Sequence, residues 1–229
     1  MTSMSDNVVE KSPARPKTAV FISGRGSNMV ALVEAAQAPG FPAEIALVLS
    51  NRADAAGLAY ASAAGIATAV VDHKPFAGDR EAFERAIDAV LVEHGVELVC
   101  LAGFLRVLTP WFVSRWAGRL INIHPSLLPA FRGLDTHARA LAANVRLHGC
   151  TVHFVTPELD DGPVIAQAAV PIIEGDTPET LAARVLVQEH VIYPAALARV
   201  ASGQARLVDG RVRLADDATP PGAVLVVPS

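Results

Sequence analysis

Asn122-Ile123-His124-Pro125-Ser126-Leu127-Leu128-Pro129 brings an amide, an imidazole and two prolines into one short stretch. It follows Leu120-Ile121, which reads as the end of a buried strand. Side chains two positions apart on a strand project to the same side, so Asn122 and His124 share a face. An amide there can donate a hydrogen bond to a developing oxyanion. An imidazole beside it can carry a proton near neutral pH. The prolines restrict φ and bias the residues before them toward extended geometry. Taken alone, the stretch also fits a strand and proline-rich turn whose histidine merely satisfies a carbonyl.

Gly24-Arg25-Gly26-Ser27-Asn28 is the second stretch with chemistry in it. It lies between a β-branched run and a helical segment, and a helix N-terminus offers unpaired N–H groups and a positive dipole end to a phosphate. The dinucleotide fingerprint fails, because Met29 stands where the third glycine belongs and the second strand leads into Ser50-Asn51-Arg52 rather than an acid. Arg52 would suit a 2′-phosphate but does not restore the glycine. A Walker A loop fails too, since no Gly-Lys-Ser/Thr follows. A single phosphomonoester is the expected ligand, with a purely structural tight turn as the alternative.

The chain has seven histidines, at 73, 94, 124, 137, 148, 153 and 190. None shows H-E-x-x-H or Cys/His-cluster spacing, so no metal site is expected. No G-x-S-x-G elbow points to a serine nucleophile. Positioned acid–base catalysis remains. Asp160-Asp161-Gly162 carries strong turn chemistry and by itself reads as a solvated turn. His153, alternating with Phe154, reads as a hydrogen-bonded core residue. His73, His94 and His148 read as loop or helix-end residues, and His190 as structural.

The elements that must hold these residues follow from hydrophobic patterning. Runs at Thr18–Ser23, Glu44–Leu49, Ala67–Val71, Glu97–Ala102, Gly149–Val155 and Pro163–Ile172 read as strands. Helices are expected from Met29 to about Ala38, Ala55 to Ala64, Asp79 to His94, Thr109 to near Gly118, Thr136 to Ala143 and Asp176 towards Gly203, with Pro194 a possible kink. Phe83, Ile87, Val90 and Leu91 line one face of the third helix. Continuous apolar strands alternating with helices predict an α/β fold, a mostly parallel twisted sheet with helices on both faces and a Rossmann-like N-terminal half. The region from Arg206 reads as a small hairpin or coil.

At 229 residues, 52% apolar and 18% charged, the chain can bury a sizeable core. No apolar run approaches the ~18–20 residues a spanning helix needs. The formal net charge of −4 argues against nucleic acid as the main partner. Cys100 and Cys150 sit in strand-like runs as buried thiols. No signal-peptide h-region opens the chain, so a soluble cytoplasmic protein is expected. Residues 1–16, with Pro13 and Pro16, read as a disordered lead-in, 17–215 as a single domain, and 216–229, with Pro220-Pro221-Gly222, as a tail.

Gly24–Asn28, Leu101–Leu108, Asn122–Pro129, Gly149–His153, Glu158–Pro163 and Gln188-Glu189-His190 occur in the same order as in one family. From about residue 18 to 210 the chain resembles the phosphoribosylglycinamide formyltransferases, folate-dependent enzymes of purine synthesis. The His124 and Asp160 motifs mark the wider formylfolate-using superfamily; Ser27-Asn28 and Glu189 point to this branch. The resemblance implies the formyltransferase fold, 10-formyltetrahydrofolate as co-substrate and the amine of glycinamide ribonucleotide as acceptor. It implies catalysis by Asn122, His124 and Asp160, phosphate binding by Gly26, Ser27 and Asn28, and ribose binding by Glu189. It places the folate against Arg80, Leu105, Arg106, Val107, Leu108, Asn122 and the loop Thr156–Asp160. No metal is implied, the partners are small molecules without nucleic acid or membrane, and the chain is expected to be a monomer or homodimer. The resemblance also implies a cis peptide at Leu128-Pro129.

Ala130-Phe131-Arg132-Gly133 stands where members of the family often carry a Lys after the proline. Three rivals remain. A formyltetrahydrofolate deformylase would use the same three residues on water, but members carry an N-terminal regulatory domain and only Met1 to Lys17 precede the first strand here. A methionyl-tRNA formyltransferase would carry a further C-terminal domain. A non-catalytic folate or phosphometabolite binder would not need Asn122, His124 and Asp160 together.

Overall fold

The structure, a computed structural model, describes residues 15–215. The lead-in up to residue 14 and the tail from 216 lie outside the described residues. The first half runs β1 (Lys17–Ile22), α1 (Ser27–Ala36), β2 (Glu44–Ser50), α2 (Gly57–Ala63), β3 (Ala67–Val70), α3 (Arg80–Glu93) and β4 (Leu98–Leu101). The second runs α4 (Pro110–Arg115), β5 (Leu120–His124), α5 (Thr136–Ala142), β6 (Leu147–Phe154), β7 (Val164–Pro171), α6 (Pro178–Ala201), β8 (Ala205–Val208) and β9 (Arg211–Leu214).

Seven strands form one sheet in the order β3-β2-β1-β4-β5-β6-β7. The first five are mutually parallel; β6 pairs antiparallel with both neighbours. β8 and β9 form a separate hairpin. Strand β1 shows why both faces need covering. Val20 and Ile22 point into a core with Met29, Leu32, Leu181, Val185 and Tyr193, beneath α1 and α6. Ala19 and Phe21 point into the opposite core with Phe83, Ile87, Leu91, Phe112 and Trp116, beneath α3 and α4. A strand buried on both sides has no polar alternation, which is the continuous apolar character seen in the sequence.

Helix ends follow local chemistry. Asp79 caps α3 by accepting from the Ala82 N–H at 2.9 Å. Thr109 caps α4, with Pro110 at its first position. Thr177 and Thr180 cap α6 reciprocally, and that helix continues through Pro194 to Ala201. Helix α4 stops at Arg115, short of Gly118, because the chain turns before β5. Strand β6 begins two residues earlier than its apolar pattern suggests, at Leu147-His148. His148 is thus a buried strand residue, not a loop residue; the His137 ring 3.2 Å from its Nε2 and the Phe131 ring edge make that position tolerable. The Leu128-Pro129 peptide is cis.

The strand order changes direction at β1, whose neighbours are β2 and β4. In open α/β sheets a crevice forms at such a point, outside the carboxyl ends of the strands. Both chemistry-bearing stretches leave the sheet on that side.

Candidate active site

Gly26 opens α1 from the left-handed region, at φ 73°, which a glycine adopts without strain. Ser27 and Asn28 then begin the helix, with its free N–H groups facing the crevice. The turn is tied down from behind. Ser23 donates its backbone N–H to the Gly103 carbonyl at 3.1 Å. Its hydroxyl donates to Asn51 Oδ1 at 2.6 Å and accepts from the Leu105 N–H at 2.9 Å. Ser23–Asn28 and Ala102, Gly103 and Leu105 line one cavity. On its floor Asn28 Nδ2 donates to Glu189 Oε2 at 2.6 Å. Burial pushes the Glu189 carboxyl above the usual carboxylate range, opposed by the Asn28 bond. Arg52 does not reach this cavity; Asp54 holds it with bonds of 3.0 and 2.7 Å.

A second cleft lies beside the first, lined by residues after β4 and by the loop after β6. Phe104, Arg106, Val107 and Leu108 form one wall; Val155, Thr156, Pro157, Glu158, Leu159 and Asp160 form the other. Asn122 and His153 lie at its base. Leu105 lines the glycine-loop cavity rather than this cleft, and Arg80, at the exposed start of α3, lines neither. Arg106 lies over the Phe83 ring at 5.8 Å. Glu84, buried on α3, accepts from the Thr109 N–H at 2.7 Å and from the Thr109 hydroxyl. Two neighbouring residues of α3 therefore fix both ends of the Arg106–Leu108 wall.

Two of the three residues expected to carry the chemistry, Asn122 and Asp160, line this second cleft, and Asp160 meets the third. His124 Nδ1 is 3.4 Å from Asp160 Oδ2, and both side chains are about nine-tenths buried. The other ring nitrogen, Nε2, is 3.1 Å from the Phe131 carbonyl. The Asp160 carboxylate also accepts from the Gly133 N–H at 2.8 Å. It thereby joins the loop after β6 to the loop after β5. Arg132, at one of the positions where the chain departs from the family pattern, pairs with Asp161 across the same junction. Gly162 lets the β6–β7 loop press close to the sheet, because a Cβ there would collide with the Phe154 carbonyl. Asp160 and Asn122 line this second cleft, whereas His124 lies beneath Asp160 and is only 6% exposed.

His153 is the residue that sequence reasoning leaves in the core. In the β5–β6 pairing it stands directly opposite Asn122. Its Nδ1 faces the Phe154 carbonyl at 2.9 Å, which only accepts, so Nδ1 carries the proton. Nε2 is then an acceptor, and Asn122 Nδ2 donates to it at 3.2 Å. Burial holds the His153 pKa below the ordinary imidazole value, which keeps that lone pair available. The Asn122 amide is fixed with its second N–H free for a ligand oxygen. No signal in one strand could reveal this, because it depends on the antiparallel register between two strands.

Among the described residues no group of three or more His, Cys, Asp or Glu is placed to hold a metal ion.

Comparison with known proteins gives the same reading. A family model described as "Formyl transferase" matches residues 16–197. The phosphoribosylglycinamide formyltransferase of Escherichia coli K12 is 45% identical over 202 residues, covering 88% of this chain and 95% of its own length. The trifunctional purine biosynthetic protein adenosine-3 of Bos taurus is 50% identical over 201 residues, 87% of this chain, and the chain spans only 20% of that protein's length. The crystal structure of glycinamide ribonucleotide transformylase 1 from Symbiobacterium toebii superposes with a TM-score of 0.84 at 44% identity, covering 88% of this chain and 94% of that one. The chain belongs to the formyl transferase family, on its phosphoribosylglycinamide formyltransferase branch.

Proposed function

We propose that this protein transfers the formyl group of 10-formyltetrahydrofolate to the amine of 5′-phosphoribosylglycinamide, in the cytoplasm, as a step of purine synthesis. The observation that carries the reading is that Asn122 and Asp160, the latter 3.4 Å from His124, line one of two adjoining cavities, the other being the glycine-loop cavity. One cavity offers a helix N-terminus, with the buried Glu189 carboxylate behind Asn28, suited to a phosphate and sugar hydroxyls. The other is a mostly apolar cleft with Arg106 at its edge, suited to a flat heterocycle with an acidic tail.

In this arrangement the ribonucleotide amine attacks the formyl carbon. The carbonyl oxygen gathers negative charge and receives the free N–H of Asn122, a donor of the kind worth about 10²–10³ in rate. Collapse breaks the bond between the formyl carbon and the folate nitrogen. The attacking nitrogen loses one proton and the folate nitrogen gains one. The Asp160–His124 pair carries that proton between them, an effect worth roughly 10²–10⁴. Holding the two substrates in adjoining cavities supplies the proximity term. Gly26, Ser27 and Asn28 hold the phosphate, and Glu189 the ribose hydroxyls. Arg106, Val107, Leu108 and the 156–160 loop hold the folate. Arg80, outside the cleft wall, is left to contacts with the folate's distal part, and Leu105 faces the ribonucleotide cavity. The described domain works as a monomer or homodimer.

A deformylase, the second reading, would have no use for a phosphate loop backed by a buried acid. A two-substrate assay separates them. Tetrahydrofolate is expected to appear only when glycinamide ribonucleotide is present, in a one-to-one ratio with formylated product. Release at an undiminished rate without the ribonucleotide would establish the hydrolase instead.

A further inference from the structure

The glycine-loop cavity contains one cation that the scheme above leaves unused. Of the residues lining the cavity, Arg25 alone is cationic. Its side chain is exposed and, among the described residues, forms no ion pair or hydrogen bond. The two arginines nearest in role are committed elsewhere: Arg52 to Asp54, and Arg106 to the face of Phe83 in the other cleft.

The electrostatics of the cavity make an idle cation informative. A phosphomonoester brings about −1.5 to −2 charges at neutral pH. The N-terminus of α1 offers the equivalent of only about +0.5. Glu189 lies directly behind Asn28, 2.6 Å from its amide nitrogen, and adds to the negative field. Asn28 is itself 9% exposed, and its Oδ1 is buried with no hydrogen-bond partner among the described residues; as an acceptor it suits a ligand hydroxyl or amine and offers the phosphate nothing. Backbone donors and a half-charge beside a carboxylate leave a phosphate dianion short of positive charge. A guanidinium supplies a full charge and a planar fork that matches two phosphate oxygens.

We propose that Arg25 folds over the phosphate of the bound ribonucleotide as its counter-charge, which makes it the residue that selects a phosphorylated over an unphosphorylated glycinamide riboside. The proposal rests on the reading of this cavity as the ribonucleotide site. It assigns Arg25 to binding and gives it no part in the chemical step.

Steady-state kinetics on Arg25→Ala test this. The KM for glycinamide ribonucleotide is expected to rise by about 10-fold to 100-fold, the range for loss of a charge-assisted bond. The KM for 10-formyltetrahydrofolate and the rate at saturation should stay within about twofold by the same assignment. Raising ionic strength should weaken ribonucleotide binding in the parent and much less in the variant. Arg25→Lys, which keeps the charge without the fork, should recover part of the loss. Inorganic phosphate should compete with the ribonucleotide, and the variant should need proportionally more of it. A variant with the parent's KM for ribonucleotide and the parent's phosphate inhibition would overturn the proposal. So would equal rises in KM for both substrates. If the parent fails to formylate glycinamide ribonucleotide, the functional reading fails separately. Calorimetric titration of inorganic phosphate into parent and variant then still decides Arg25, equal affinities refuting it.

Discussion

His124 is flanked at both ring nitrogens, by Asp160 Oδ2 at 3.4 Å and by the Phe131 carbonyl at 3.1 Å. Asn122 is held the same way by His153, so the two side chains that lie two apart on β5 each have a fixed orientation before substrate arrives. Such preorganisation is what an oxyanion donor needs, since no reorientation is then required at the moment of reaction. Replacing Asn122 by Ala should lower kcat by about 10²–10³ while both KM values change little. Steady-state assays with each substrate varied would check it. A large rise in the folate KM with kcat intact would show that Asn122 binds folate and does no more. At this scale strand periodicity put the amide and imidazole on one face but left open a histidine that merely satisfies a carbonyl. Asp160 was not legible: its sequence is a turn signal, and only the family resemblance singled it out. His153 was missed because its partner sits on another strand, and the pairing register is a tertiary fact.

Helix α3 shows how an element can serve a site it does not line. Phe83 lies under the Arg106 guanidinium, and Glu84 accepts two hydrogen bonds from Thr109. Burial pushes the Glu84 carboxyl upward, opposed by the Thr109 bonds. Glu84→Ala leaves the Thr109 N–H and hydroxyl unpaired. A loss of about 1–3 kcal/mol in denaturant unfolding is expected, together with a higher KM for folate and an unchanged KM for ribonucleotide. Equal effects on both KM values would mean that the wall is held by something else. Helix α6 carries a clue that spacing alone exposes. Leu181, Val185, Glu189 and Tyr193 recur every four residues, and all are buried. An acid in a core stripe is costly unless it is partnered, so Glu189 stands out as functional even before Asn28 is found beside it. The junction of α5 and β6 was less legible. His137 and His148 meet edge to face with ring centroids 5.1 Å apart, and burial with the neighbouring ring holds the His148 pKa down to about 4. As pH falls, the unfolded chain takes up the proton first, so this stability is present above about pH 6.5 and is lost progressively towards pH 4. Thermal unfolding across that range should show a falling Tm, and His148→Gln should flatten the fall. A variant with the parent's pH profile would assign the acid sensitivity elsewhere.

Across the whole molecule, the sheet order decides where chemistry can happen. Parallel strands bring the turns after β1, β4 and β5 to one edge, and the reversal at β1 leaves a crevice between the first two of them. Strand β6 runs back beside β5, so its end at Phe154 stands opposite Ile121, and the loop after it reaches back along β5 for Asp160 to meet His124. Alternating strand and helix patterns made the parallel half readable, because each element there is a continuous apolar or amphipathic run. The order in which strands neighbour one another was not readable from pattern, since every buried strand looks alike. The family resemblance supplied what local patterning lacked. The claim that joins the scales is that Asp160 and His124 act as one proton-carrying unit beside Asn122. The most direct test measures kcat for His124→Ala, Asp160→Asn and the double variant with both substrates saturating. Each single change should cost roughly 10²–10⁴, and the double should cost little more than either alone. Turnover that survives either single change, or losses that multiply in the double variant, would contradict a shared role.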